Sequence, residues 1–374
     1  MSNLEIGSRR EVALYSRSRF AIAFRIASRL RDRLFKGGKM TAATGRIRAD
    51  FAGPLFITGM WRSGSSLLYA LLNKHPQVGL MYEADLALLR PVFWKGRAAN
   101  WAERWEFWNQ APSRHAFDPT GMAGKKVSFQ EAYELAYKEY ARRRGATIWG
   151  EKSPDLFDRM TEMARLFPEA RFIVVWRNPL ATNSSMSAAA EKGASFFKKP
   201  GMALRGLMGC GELRRECDAL ISKGHALHEL DYEDLVREPA SVMRGVCEFL
   251  RIPYDESVAT LEGADRSAIH LGEHHSLLRG GKIVASAVRK SPEGTAHAKI
   301  DRYVWWWQSR NDGRWPKYPP PGSIRMGSPG AIERIWDAIL YRFWRGIDRV
   351  TQLAFCCAPL GWLRWYRMRK TRRK

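Results

Sequence analysis

Arg62 sits in a loop between two glycines, Gly59 and Gly64, with Ser63, Ser65 and Ser66 beside it. A short apolar run, Leu55 to Thr58, precedes the loop and reads as a buried strand. Leu67, Leu68, Leu71 and Leu72 then recur at helical spacing, and Pro76 ends the helix. A strand, a glycine loop and a helix N-terminus together can grip an anion. Backbone N–H groups converge there, and the helix dipole adds partial positive charge. The serines add hydroxyl donors, and Arg62 adds a full charge. Gly59 and Gly64 keep the G-x-x-x-x-G spacing of a Walker A motif, but Ser65 stands where that motif needs lysine. The cation has moved into the loop, which ranks an ordinary nucleoside triphosphatase down. A plain strand-to-helix turn is the competing reading.

A second set of residues repeats the pattern. Arg171 to Arg177 is the clearest buried strand in the chain, and Pro179 suits the first turn of a helix running to about Ala190. Arg177 lies at the strand's end, with Ser184 and Ser185 on the helix. An arginine and a helix-borne hydroxyl can hold another anion; an ordinary ion pair is the alternative for Arg177. Glu83 follows a strand over Val78 to Met81. Ligands of open α/β sheets gather at the carboxyl ends of strands, so Glu83 is placed to face the loop, unless it is a surface salt bridge or a helix cap. Trp101, Trp105 and Trp108 share a helix face at i, i+4, i+7. They line an apolar acceptor pocket, touch lipid, or belong to the core, as aromatic stripes usually do.

These residues need a sheet to bring them together. Strands at 55–58, 78–81, 171–177 and 226–232 alternate with helices, including one from Asp155 to Phe167 and one from Ala240 to Leu250. Such alternation indicates an α/β fold with a mainly parallel sheet flanked by helices on both faces. Residues 128–144 read as one amphipathic helix. We expect a basic N-terminal extension and linker over 1–50, the main domain over 51–320, and a basic, aromatic tail over 321–374. Residues 270–300 lose hydrophobic periodicity. There Gly280-Gly281-Lys282 and Arg289-Lys290 form either a flap over a phosphorylated ligand or a plain surface loop.

The chain of 374 residues carries 62 basic and 38 acidic side chains, a net charge of +24. That imbalance attracts phosphorylated ligands, nucleic acid or acidic membranes. No helix-turn-helix, zinc-finger or RNA-binding signature is present, so nucleic acid ranks low. Both ends combine arginines with apolar and aromatic residues, a composition suited to lying on an anionic membrane; the N-terminal helix reads equally as one packed on the domain with a solvated basic face, or as a transit peptide, which Glu5, Glu11 and Asp32 weaken. The five cysteines form no C-x-x-C pair and no histidine spacing suits a metal, so no metal is expected. No signal-peptide h-region and no long apolar run is seen. The expected location is cytoplasmic, peripheral on the inner face of a membrane.

Taken together, the motifs resemble the sulfotransferase family. Gly59-Met-Trp-Arg-Ser-Gly-Ser-Ser-Leu is similar to that family's 5′-phosphosulfate loop, with Trp61 in place of the usual proline. Arg177 and Ser185, eight residues apart, match its 3′-phosphate site. Trp149-Gly-Glu-Lys-Ser-Pro154 and Leu230-Asp-Tyr-Glu-Asp-Leu-Val-Arg-Glu-Pro239 continue the pattern, which covers roughly residues 51–310. Arginine in the loop and glutamate soon after the first helix look like the bacterial and tyrosylprotein branch. The resemblance implies 3′-phosphoadenosine 5′-phosphosulfate (PAPS) as donor and a hydroxyl or amine acceptor on a lipid, glycan or small molecule. It implies Glu83 as base, with Arg62 and Lys152 at the sulfuryl group. It implies Ser63, Gly64, Ser65, Ser66, Arg177, Ser185 and Lys290 as donor ligands. Two alternatives are an ATP-dependent phosphotransferase and a non-catalytic membrane-binding protein on the same scaffold.

Overall fold

Five parallel strands set the positions of the site. The computed structural model describes residues 51–110, 114–115, 124–269, 283, 295–310 and 328–371. The N-terminal extension, the flap with Lys290 and the expected domain boundary at 320 lie outside the described residues. By contacts the chain separates into two units, residues 1–46 with 94–96, and residues 47–93 with 97–374.

The strands of the larger unit are β1 (Leu55–Thr58), β2 (Val78–Tyr82), β3 (Arg97–Ala98), β4 (Val127–Ser128), β5 (Ile148–Lys152), β6 (Arg171–Trp176) and β7 (Ala226–Asp231). The main sheet has the order β2-β5-β1-β6-β7, and its neighbours pair in parallel. β3 and β4 form a separate antiparallel ribbon. Successive side chains of the inner strands enter opposite layers, as the period of two requires. Phe56, Phe172 and Val174 join one apolar cluster, while Leu55, Ile57, Ile173 and Val175 join the other. A parallel sheet covered on both faces needs such unbroken apolar runs, and this is why β1 and β6 are plain in the sequence.

The register brings the strand ends level. Lys152 lies opposite both Ile57 and Tyr82, and Trp176 lies opposite Asp231. The ladder runs one step further, with Glu83 N donating to Lys152 O at 2.7 Å and Ser153 N donating to Ile57 O at 3.0 Å. Glu83, Lys152, Arg177 and the loop after β1 therefore share one edge of the sheet. The chain leaves β1 for β2 on one side and crosses to β6 on the other, so β1 is the switch point where open α/β sheets hold ligands.

The helices are α1 (Ser65–Leu72), α2 (Trp101–Asn109), α3 (Phe129–Tyr133), α4 (Glu139–Arg143), α5 (Met160–Leu166), α6 (Pro179–Glu191), α7 (Met202–Ser222), α8 (Tyr232–Arg237), α9 (Pro239–Leu250), α10 (Thr295–Arg310), α11 (Ala331–Cys357) and α12 (Leu360–Thr371). Two differ from the expected spans. The helix over 128–144 is interrupted by a π turn, Glu134–Lys138. The stacked rings of Tyr133, just before that turn, and Tyr137, within it, are 4.5 Å apart and place both hydroxyls on buried Glu151. The helix expected from Asp155 begins as a 3₁₀ turn, Pro154–Leu156, and becomes α-helical only at Met160. Asp155 and Asp158 there serve as partners for Trp61 and Arg345. Trp101 and Trp105 are fully buried, so these two tryptophans are core and do not line an acceptor pocket.

Candidate active site

The loop after β1 is shaped by backbone as much as by side chains. Arg62 adopts φ 69°, Gly59 φ 159° and Gly64 φ 97°. A Cβ on Gly64 would fall 2.1 Å from Tyr232 Cδ2, and one on Gly59 would fall 2.5 Å from Ser63 Oγ and from Val175 O. Only glycine fits either position. Gly64 caps α1 with no side-chain bond, and the first turn of α1 carries no acid. That leaves a helix N-terminus with its donors and dipole facing the loop.

The second motif meets the first directly. Arg62 Nε donates to Ser185 Oγ at 3.1 Å, and Arg177 Nη1 donates to Arg62 O at 3.0 Å. The Arg177 guanidinium lies 4.3 Å from the centre of the Tyr232 ring. Burial and the neighbouring Arg177 pull the Arg62 guanidinium below its ordinary value. Two arginines held this close repel each other in a desolvated cleft, and an anion between them relieves both costs. Ser63 Oγ and Arg177 Nε are buried with no hydrogen-bond partner among the described residues. Buried donors of this kind are paired as a rule, and anionic groups bound at the two motifs would satisfy them.

Glu83 and Lys152 form the other half of the cleft. Lys152 Nζ, 2% exposed, lies 2.5 Å from Glu83 Oε1 and donates to Ser66 Oγ at 3.2 Å. Ser66 Oγ and the Tyr82 hydroxyl are 2.8 Å apart, and the ammonium sits 4.5 Å from the centre of the Tyr82 ring. The lysine thus ties the helix of the anion loop to the carboxylate after β2. The Glu83 side chain keeps 29% of its surface exposed, so it can be reached from the cleft. Glu83 and Asp85 both adopt left-handed backbone, φ 46° and 55°. This segment is held by Arg114 donating to Glu83 O at 2.6 Å, Trp105 donating to Ala84 O at 2.6 Å, and Asp85 N donating to Glu151 Oε2 at 3.0 Å.

Behind the ion pair lies a group of acids, Glu151 buried and Asp85 and Asp155 half-buried. Burial pushes Asp85 well above the usual carboxylate range, with Asp155, Glu151 and Glu83 adding repulsion. Burial also raises Asp155 and Glu151, opposed in Glu151 by hydrogen bonds from Tyr133 and Tyr137. Trp61, which stands where the family pattern has proline, donates to Asp155 Oδ1 at 3.3 Å and anchors the loop to this group.

The structure therefore brings together Arg62, Ser63, Gly64, Ser65, Ser66, Glu83, Lys152, Arg177 and Ser185. Of the expected residues, Lys290 lies outside the described residues. Tyr82, Tyr232, Asp85 and Asp155 were not visible as site residues in the sequence. Their positions depend on strand register and carry no local motif. His115 also escaped notice. Its Nε2 lies 3.0 Å from Tyr82 O, and burial lowers it to about 4, so it is neutral at physiological pH.

Asp231, at the end of β7 beside Tyr232, yields a pH test. Burial, with Asp234 and Glu233 nearby, raises it from 3.8 to about 6. The folded state thus holds this proton more tightly than the unfolded one. Its stabilising contribution is complete below about pH 3.8 and is lost as pH rises through about 6. Asp231→Asn is expected to gain stability over the parent as pH rises from 4 to 7, measured by urea denaturation. A constant difference across that range would exclude the assignment.

Comparison with known proteins follows the same residues. The model of the Sulfotransferase family matches residues 54–256. Protein-tyrosine sulfotransferase A of Caenorhabditis elegans is 24% identical over 261 residues, covering 67% of this chain and 60% of that protein. Protein-tyrosine sulfotransferase 1 of Danio rerio is 26% identical over 216 residues, 54% of each chain. This chain therefore matches little more than half the length of these relatives. The sulfotransferase domain of the Synechococcus PCC 7002 olefin synthase shares the fold, with a TM-score of 0.50 at 18% identity, covering 69% of this chain and 92% of that domain. With the family match spanning more than half of its length and enclosing both anion motifs, this chain belongs to the sulfotransferase family.

Proposed function

We propose that this sulfotransferase takes its sulfuryl group from PAPS and passes it to a hydroxyl or amine of an acceptor. The observation that carries the reading is the pair of buried donors without a partner among the described residues, Ser63 Oγ and Arg177 Nε, on a loop and strand end that Lys152 links to Glu83 through Ser66. Ser63, Ser65, Ser66 and the N-terminus of α1 bind the 5′-phosphosulfate, while Arg177 and Ser185 hold the 3′-phosphate. Glu83 takes the acceptor proton as the new O–S or N–S bond forms. The bond between sulfur and the 5′-phosphate oxygen breaks, and 3′-phosphoadenosine 5′-phosphate (PAP) leaves with the bonding electrons. Arg62 and Lys152 stabilise charge on the sulfuryl oxygens and on the departing phosphate. Lys152 also holds Glu83 in reach of the acceptor.

Calorimetric titration with PAP, and with ATP plus Mg²⁺ for comparison, tests the donor. PAP is expected to bind at least ~10²-fold more tightly, because only the bisphosphate engages both anion motifs. Preference for ATP would replace this reading with phosphoryl transfer. Binding of neither would mark a scaffold without this chemistry.

A further inference from the structure

The helix α11 meets the domain with its polar side. Asp337 accepts from Lys299 at 2.6 Å and from the Tyr303 hydroxyl at 2.8 Å. Tyr341 donates to Glu212, Arg345 pairs with Asp158, Asp348 pairs with Arg205, and Gln352 donates to Leu88 O. The opposite side is apolar and faces outward. Ile332 is 73% exposed, Ile335 60%, Trp336 59%, Phe343 58% and Val350 66%. Their spacing keeps them on one face of the helix. Scattered apolar residues are normal on a surface, but a continuous ridge of this length marks a binding face.

The charges select the partner. The acids of α11, Glu333, Asp337 and Asp348, are all paired with the domain through Arg302, Lys299 and Arg205. Arg342 and Arg349 are exposed, and their seven-residue spacing puts them along one border of the ridge. From residue 349 onward the chain carries eight basic residues and no acid. In α12, Trp362, Trp365 and Tyr366 are exposed, amphipathic rings of the kind that sit at lipid headgroups. Among the described residues no helix is long and apolar enough to cross a membrane.

We infer that the outward face of α11 and α12 is a docking surface for an anionic lipid membrane, on which α11 lies flat. An apolar ridge bordered by arginines enters the headgroup region and attracts anionic lipid. A second copy of this chain would instead bring the same arginines near one another. Attachment reaches close to the anion loop. Arg345 lies 5.1 Å from the centre of the Phe157 ring, which packs 6.0 Å from the Trp61 ring. Arg205, the partner of Asp348, lies 5.7 Å from the same indole. Docking by this face is independent of which donor or acceptor the enzyme uses.

The test is co-sedimentation of the full chain with vesicles of phosphatidylcholine containing phosphatidylglycerol, and with phosphatidylcholine alone. The parent is expected to bind the anionic vesicles and to be weakened by salt. A variant combining Ile335→Asp, Phe343→Asp and Val350→Asp is expected to lose about tenfold or more in partitioning, with cooperative melting retained. If that variant does not fold, Arg342→Glu with Arg349→Glu at the exposed border should still weaken anionic binding. A folded ridge variant that sediments like the parent would overturn the inference and move attachment elsewhere, residues 1–46 included. A parent that stays in the supernatant would overturn it too. So would a dimeric parent that the ridge variant converts to monomer without change in vesicle binding. PAP binding, measured alongside, reports on the donor site separately.

Discussion

Glu83→Gln is expected to lower turnover by about 10³-fold while PAP still binds. Glutamine keeps the oxygen that faces Lys152 Nζ at 2.5 Å, so the contact survives as a weaker, neutral-acceptor hydrogen bond. It cannot take a proton from the acceptor. Alanine would be the poorer probe. Lys152 is almost wholly buried, and removing the whole partner of a buried charge destabilises a fold by ~3–5 kcal/mol. A loss of activity in Glu83→Ala could then be a loss of structure. The measurement is PAP released from PAPS with an acceptor that the parent turns over, beside calorimetry with PAP. Unchanged turnover in Glu83→Gln would remove Glu83 from the mechanism. Loss of PAP binding together with turnover would make it a structural residue.

Arg177→Ala is expected to weaken PAP binding by about 10²-fold and adenosine 5′-phosphate binding far less. Arg177 is braced on two sides, by its bond to Arg62 O and by the Tyr232 ring. A side chain fixed in this way loses little entropy on gripping a phosphate. Its removal therefore costs most of the charge-assisted contact. Lysine should restore only part of it, since an ammonium cannot reproduce the planar fork. Titration of each nucleotide into parent and variant reads the difference directly. Equal weakening for both nucleotides would assign Arg177 to the loop's geometry and not to the 3′-phosphate.

The legible parts of this protein share one property: their signal is local. β1 and β6 are unbroken apolar runs, and the glycines, Arg62 and Pro179 mark the turns that follow. Glu83 was placed by a general rule about strand ends. What the sequence hid is long-range. The Arg62–Ser185 hydrogen bond joins residues 123 apart, and Lys152 reaches Ser66 from 86 residues away. Neither follows from periodicity. Tyr232 reads as the end of a strand, yet its ring both braces Arg177 and forbids a side chain at residue 64. The tryptophans of α2 read more readily as core than as pocket, but periodicity reports a shared face and not what covers it. The C-terminal helix showed its amphipathic composition, but not that its polar side would be the one to dock.

Among the described residues, five that are not glycine have left-handed backbone, and three of them are Arg62, Glu83 and Asp85. Each such conformation costs about 1–3 kcal/mol, and surrounding contacts hold it in place. Asp85 in this segment and Asp155 after β5 sit in a setting that disfavours their charge. Glycine at 62 or 85 would release strain, and asparagine at 85 or 155 would release electrostatic cost; at 83 the loss of the partner of buried Lys152 outweighs the strain. Selection of this protein for heat resistance alone should therefore enrich changes at Arg62 and at the acids behind the Glu83–Lys152 pair, in and beside the proposed site. Survivors of such a screen are expected to melt later and, on the proposed mechanism, to lose turnover where Arg62 has changed.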